Sequence, residues 1–110
     1  MDWIFVYGQF RDSGKKIMGE GAKFCGRAWV EGKIYKVDDF YPGWVPGKGK
    51  VWGEVYLFDE VNLDSMDSYE GDEYTRVRIK TSTDLVCWIY QWNRPVDGFS
   101  EIKSGDWQLR

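Results

Sequence analysis

The sequence predicts an α+β protein dominated by strands, and three observations carry that expectation. Short runs of aromatic and β-branched residues recur along the chain, each cut off by Gly, Pro, Asp or Ser, which is the pattern of strands and turns. One segment, residues 59–69, has the period of a helix. The 110 residues, 43% of them hydrophobic, suffice for one packed domain that buries roughly two thirds of the surface its unfolded chain exposes.

Trp3-Ile4-Phe5-Val6-Tyr7 reads as a strand that stops at Gly8. Residues 8–22 hold four glycines and mixed charge, so they read as a loop. Residues 23–30 and 33–37 flank Glu31-Gly32, which favours a hairpin or a strand with a tight bend. Residues 38–50 contain Tyr41-Pro42-Gly43 and Val45-Pro46-Gly47, and two prolines argue against a helix or a central strand, leaving a covering loop. Residues 51–58 are rich in β formers, with Gly53 marking a bulge or a close backbone approach. In the helical segment Leu63, Met66 and Tyr69 recur at i and i+3, Asp64, Asp67 and Ser68 are free to face water, and Gly71 ends the helix. Residues 74–81 and 85–92 form an antiparallel hairpin around Ser82-Thr83-Asp84. The tail carries Pro95 and two glycines, and its Trp107 is expected to dock on the body. No repeat, low-complexity tract or linker divides the chain, so residues 1–110 are read as a single domain.

Composition narrows the chemistry. Fifteen basic against eighteen acidic side chains leave a formal charge of −3, so no general attraction to nucleic acid or anionic lipid is expected. No apolar run reaches the ~20 residues of a membrane-spanning helix. Met1-Asp2-Trp3 lacks the basic start and long apolar region of a secretory signal, which points to a cytoplasmic, reducing compartment. Cys25 and Cys87 lie far apart, outside any metal-ligand spacing, and read as small core hydrophobes, with a buried disulfide as the lesser alternative. The chain has seven Trp, seven Tyr and six Phe but no His. That absence excludes His-based triads and removes the commonest zinc ligand, leaving acid-base work to a carboxylate, Lys, Tyr or Cys.

Two places can carry such work. Tyr7-Gly8-Gln9-Phe10-Arg11 runs from a strand end into a glycine turn, where backbone N–H groups can meet an anionic ligand; equally, Gly8 can serve only the turn, with Arg11 solvated. Glu70, at a helix C-terminus where the macrodipole disfavours negative charge, stands with Asp72 and Glu73 among Tyr69, Tyr74 and Arg76. An apolar wall there would raise a carboxyl pKa into a useful range; a plain solvated turn is the alternative. Most aromatic rings fall inside strand runs and read as core, which leaves Tyr41 and Trp44, in the irregular stretch, as the ligand-facing rings.

In order along the chain, several pieces resemble the γ-glutamylcyclotransferase-like family, which includes γ-glutamylamine cyclotransferases. Phe5-Val6-Tyr7-Gly8-Gln9-Phe10-Arg11 is similar to its N-terminal Val-Tyr-Gly-Thr/Ser-Leu-Arg/Lys motif, and Tyr41-Pro42-Gly43 to its Tyr-Pro segment. Val51-Trp52-Gly53-Glu54-Val55-Tyr56 resembles the Val-x-Gly-Glu-Val-Tyr strand. Leu63-Asp64-Ser65-Met66-Asp67-Ser68-Tyr69-Glu70-Gly71, with Tyr74-Thr75-Arg76 after it, resembles the Leu-Asp-x-x-Glu-Gly and Tyr-x-Arg signature, and Gly105-Asp106-Trp107 the closing Gly-Asp-Trp.

The resemblance implies a small mixed, barrel-like sheet with one main helix packed beside it. It implies an enzyme that releases a γ-glutamyl group from a small amine or peptide as 5-oxoproline, with no metal and no organic cofactor. It makes Glu70 the catalytic acid/base, assigns Tyr7, Gly8, Gln9, Phe10, Arg11 and Tyr74 to substrate binding, and leaves Tyr41, Trp44 and Arg76 as pocket-lining or structural positions. Gln9 and Phe10 stand where the motif has Thr or Ser and Leu, so the loop carries bulkier side chains. Gln9 can donate to a ligand or fill the γ-glutamyl space, and a non-catalytic small-molecule binder is the second reading. A partner-binding surface around Tyr41 and Trp44 is the third.

Overall fold

A computed structural model of the chain describes residues 2–8, 23–58 and 63–110. Strand β1, Asp2–Val6, is buried on both faces: Phe5, and Tyr7 just beyond the strand, face one apolar cluster, while Ile4 and Val6 face another. That double burial is why residues 3–7 read as a continuous apolar run instead of an alternating one. Strand β2, Lys23–Lys36, and strand β3, Pro42–Phe58, form a long antiparallel pair joined through residues 37–41. Helix α1, Leu63–Glu70, then leads into the antiparallel pair β4, Tyr74–Lys80, and β5, Val86–Trp92. Strand β6, Ser100–Glu101, and a 3-10 turn at Trp107–Leu109 complete the order.

The six strands are ordered β4-β5-β1-β3-β2-β6, with β1 parallel to β5 and antiparallel to β3. Beyond the end of β1 the N-terminal part of β3 reaches β5 directly, pairing Trp44 with Gln91, so the sheet curls on itself. The tip of the β4–β5 hairpin is tied to β2: Ser82 N–H donates to the Trp29 carbonyl at 2.8 Å, and Trp29 N–H donates to Ser82 Oγ at 3.1 Å. Among the described residues the result is a strand-dominated half-barrel with one α-helix. Phe5, Val30, Ile34, Val51, Val55 and Ile89 fill its inside, and Met66 docks α1 onto Ile4, Val6, Tyr56, Phe58 and Tyr90 outside it.

Two expectations change, and a third, left between two alternatives, is decided. Residues 42–50 are strand, not covering loop. Pro42 opens β3, where no earlier ladder bond is required, and Pro46 starts an excursion, Pro46 to Gly49, that interrupts the pairing between Val45↔Lys33 and Lys50↔Glu31. The Glu31-Gly32 site is the tight bend of one strand, β2, at that same irregularity, with Gly32 at φ 147°. Cys25 sits at a register shift between Phe24 and Gly26 and is exposed, whereas Cys87 is buried as expected. The two short residues of β6, too few for any periodic signal, were not legible.

The tail seals the inner cluster. Trp107 is buried, Trp52 N–H donates to the Gly105 carbonyl at 2.8 Å, and Asp106 accepts from Arg27 Nη2 at 2.7 Å while capping Gln108 N at 3.0 Å. At the other end the Tyr7 hydroxyl bridges the opening left where β1 stops. It accepts from Trp44 N–H of β3 at 3.1 Å and donates to the Tyr90 carbonyl of β5. Tyr7→Phe takes one hydrogen-bonding partner from each of two buried main-chain groups, so a loss of about 1–3 kcal/mol is expected. It would be read as a lowered urea midpoint at unchanged m-value.

Candidate functional site

Glu70 is the last residue of α1, and the chain leaves the helix there because Gly71 takes a left-handed conformation, φ 81°, with its N–H on the Asp67 carbonyl at 3.0 Å. Glu70 lies one turn beyond Met66, so it shares the stripe of the helix that faces the sheet. Half-buried there, its carboxyl has no hydrogen bond to any described residue, and removal from water raises its pKa from 4.5 to about 7. The negative end of the helix dipole acts in the same direction.

Four tyrosines surround it and feel its charge: Tyr7 at the end of β1, Tyr41 before β3, Tyr74 of β4 and Tyr90 of β5. Burial, then neighbouring charge, pushes each phenol above its usual range. Three of the hydroxyls have fixed acceptors. Tyr7 donates to the Tyr90 carbonyl, Tyr74 to the Pro42 carbonyl at 2.7 Å, and Tyr90 to Asp67 Oδ1 at 2.6 Å. Those phenols are neutral and committed to main-chain or carboxylate partners, so within this cluster Glu70 is the group that exchanges a proton near neutrality.

Gly8 follows β1 at the edge of the cluster. A Cβ there would lie 2.5 Å from Pro42 Cδ, so the glycine lets the Pro42 ring close on the turn. Pro42 in turn receives the Tyr74 hydroxyl, which connects the Gly8 turn to the wall beside Glu70. An aromatic chain continues outward from Tyr41 through Tyr74 and Trp92 to Phe99, each pair edge to face or nearly so with ring centroids 5.3–6.4 Å apart. An open cleft of about 440 Å³, lined among others by Asp67, Gly71, Tyr74, Arg76, Tyr90 and Asn93, adjoins the same tyrosines.

The structure therefore brings Glu70, Tyr7, Tyr41 and Tyr74 together, with Gly8 alongside. Gln9, Phe10 and Arg11 lie outside the described residues. Trp44 is not a ligand-facing loop residue: it is a β3 residue packed into the inner core, because the irregular stretch that was to carry it is strand. Arg76 makes a two-pronged contact with Asp67, Nε to Oδ1 at 3.0 Å and Nη2 to Oδ2 at 3.3 Å. Asp67, expected to face water, thus holds a partner from β4 and another, Tyr90, from β5. No local signal marks it, since both partners are distant in sequence.

A family model described as Gamma-glutamyl cyclotransferase, AIG2-like matches residues 4–109. The chain is 40% identical over 108 residues to the γ-glutamylcyclotransferase family protein YtfP of Escherichia coli K12, covering 94% of each chain. The solution NMR structure of Escherichia coli ytfP superposes with a TM-score of 0.78 at 39% identity, over 96% of this chain and 95% of the other. A crystal structure of a Pyrococcus horikoshii protein gives 0.81 at 31% identity, over 98% and 91%.

Proposed function

The chain belongs to the γ-glutamyl cyclotransferase, AIG2-like family, and from that premise we propose that it is an enzyme releasing 5-oxoproline from a small γ-glutamyl amine or peptide, with Glu70 as its acid/base. One observation carries the reading: a carboxyl without a hydrogen-bonding partner among the described residues, dried to a pKa of about 7 inside a ring of neutral tyrosines beside the Gly8 turn.

The reaction suits such a site. The substrate's α-amine attacks its own γ-carbonyl carbon, forming the ring C–N bond, and the bond from that carbon to the departing nitrogen breaks. Because the nucleophile is tethered, effective molarities of about 10⁵ M or more are available without a nucleophilic side chain. The α-nitrogen sheds two protons in passing from ammonium to lactam N–H, and the departing nitrogen takes up two in leaving as ammonium. One carboxyl alternating between its forms carries that transfer with nothing left over. At a pKa of about 7 instead of 4.5, Glu70 is a markedly better base toward an ammonium. The main-chain N–H groups of the Gly8 turn are the candidates for the substrate's α-carboxylate and for the oxyanion that develops at the γ-carbonyl.

The test is incubation with γ-glutamyl amides of a simple alkylamine, of an amino-acid α-amine and of a lysine side-chain amine, with 5-oxoproline followed by mass spectrometry. Product from at least one, linear in protein concentration, is expected. Tight binding of an amide that is returned unchanged would instead favour the non-catalytic binder that Gln9 and Phe10 raise.

A further inference from the structure

We propose that Asp67, Arg76 and Tyr90 form a clamp that fixes the roll of α1 and so aims Glu70, which makes them positioning residues of the site. The proposal rests on the role given to Glu70 above. Helix α1 has only eight residues, several of them Asp or Ser, and gains little from intrinsic propensity. Its orientation must come from what it touches. Among the described side chains Met66 anchors it to the sheet, fully buried, but an anchor on one line lets a short helix roll about that line.

Asp67 supplies the second line. At about 100° per residue, Met66 and Asp67 point about 100° apart, and Glu70 projects between them, about 40° from Met66. The Asp67 carboxylate is held from two strands at once, by the fork of Arg76 from β4 and by the Tyr90 hydroxyl from β5. These holders are themselves fixed. The Arg76 guanidinium lies 4.3 Å from the centre of the Trp88 ring, and Tyr90 is buried in the cluster that receives Met66. A roll of about 20° would swing a carboxyl carried ~6 Å from the helix axis by ~2 Å, and displacements of about 1 Å can cost ~10²-fold in rate. The ion pair is partly exposed, 20% for Arg76 and 41% for Asp67. Such pairs add little to stability, so the geometry they impose is the larger effect.

The experiment uses the whole chain with Tyr90→Phe, which removes one hydroxyl, and Arg76→Lys, which keeps the charge but not the fork. In folded variants kcat for 5-oxoproline release should fall at least tenfold with KM within twofold. Tyr90→Phe combined with Asp67→Asn should cost little more than either alone. Unchanged kcat in both folded single variants would overturn the clamp. Titration of the Glu70 carboxyl by carbon-13 NMR, with its signal assigned by loss in Glu70→Gln, provides a readout that needs no substrate. Among the described residues the titratable groups that feel Glu70 are Tyr7, Tyr41, Tyr74 and Tyr90, from four different segments, and both variants keep a positive charge at position 76 and the negative one on Asp67. A midpoint that drops toward the ordinary carboxylate range in the variants supports the clamp, and one that stays put overturns it. If the wild type turns over no γ-glutamyl amide, the enzyme reading fails while this titration still decides the clamp.

Discussion

Glu70→Gln is expected to lower kcat for 5-oxoproline formation by about 10²–10⁴-fold, the usual contribution of a positioned acid/base, with KM little changed because the variant leaves the Gly8 turn intact. Some rate should survive, since holding the tethered amine against the carbonyl needs no proton carrier. The wild-type kcat should rise with pH through about 7, as the carboxyl ionises and becomes a base. The same substitution has the opposite effect on stability. Between pH 4.5 and about 7 the native state holds a proton on Glu70 that the unfolded chain has lost. The wild type is therefore most favoured below that window and loses stability as pH rises through it. Gln carries no charge to desolvate. The variant should melt above the wild type at pH 8, with the gap closing by pH 4.5. Equal rates, or equal melting temperatures at both pH values, would remove Glu70 from the role given to it.

The helix that ends at Glu70 was legible before the fold because its ingredients are local: a helical period through Leu63 and Met66 and a glycine stop at Gly71. Strands β1, β4 and β5 were legible for the same reason, being runs of β formers between turn residues. What escaped depends on partners far along the chain. Pro42 and Pro46 argue against a strand only where an N–H is needed, and the register of β3 against β2 leaves those positions without that need. Asp67 has the helical phase of a water-facing residue, and only the return of residues 76 and 90 beside it makes it a junction. Gly8 signals a turn in sequence, but its lack of a side chain is required by the Pro42 ring, which arrives from 34 residues later. Cys25 follows the apolar statistics of its residue type until a register shift turns it outward.

Gly53→Ala should cost the fold at least ~3 kcal/mol. Gly53 lies between Val51 and Val55 on the face of β3 that meets the inner core, where β1 and β3 run side by side. A Cβ there would come within 2.2 Å of the Val6 carbonyl oxygen and 2.6 Å of the Phe5 ring. Neither neighbour can yield cheaply: the first is main chain in a strand paired on both sides, and the second belongs to a ring with 1% exposure. Against the clash stand the burial of one methyl, about 0.8 kcal/mol, and the reduced freedom of the unfolded chain, about 0.4–1 kcal/mol. Together these fall short of separating two central strands. Gly47→Ala is the control, because its φ is ordinary and its nearest neighbour is the flexible Lys33 side chain at 3.5 Å. It should be neutral or slightly stabilising. Thermal unfolding of both variants beside the wild type checks the pair: at about 4–8 °C per kcal/mol for a small domain, Gly53→Ala should melt more than ten degrees lower. If the two variants melted alike, steric closure at Gly53 would not be what joins β1 to β3.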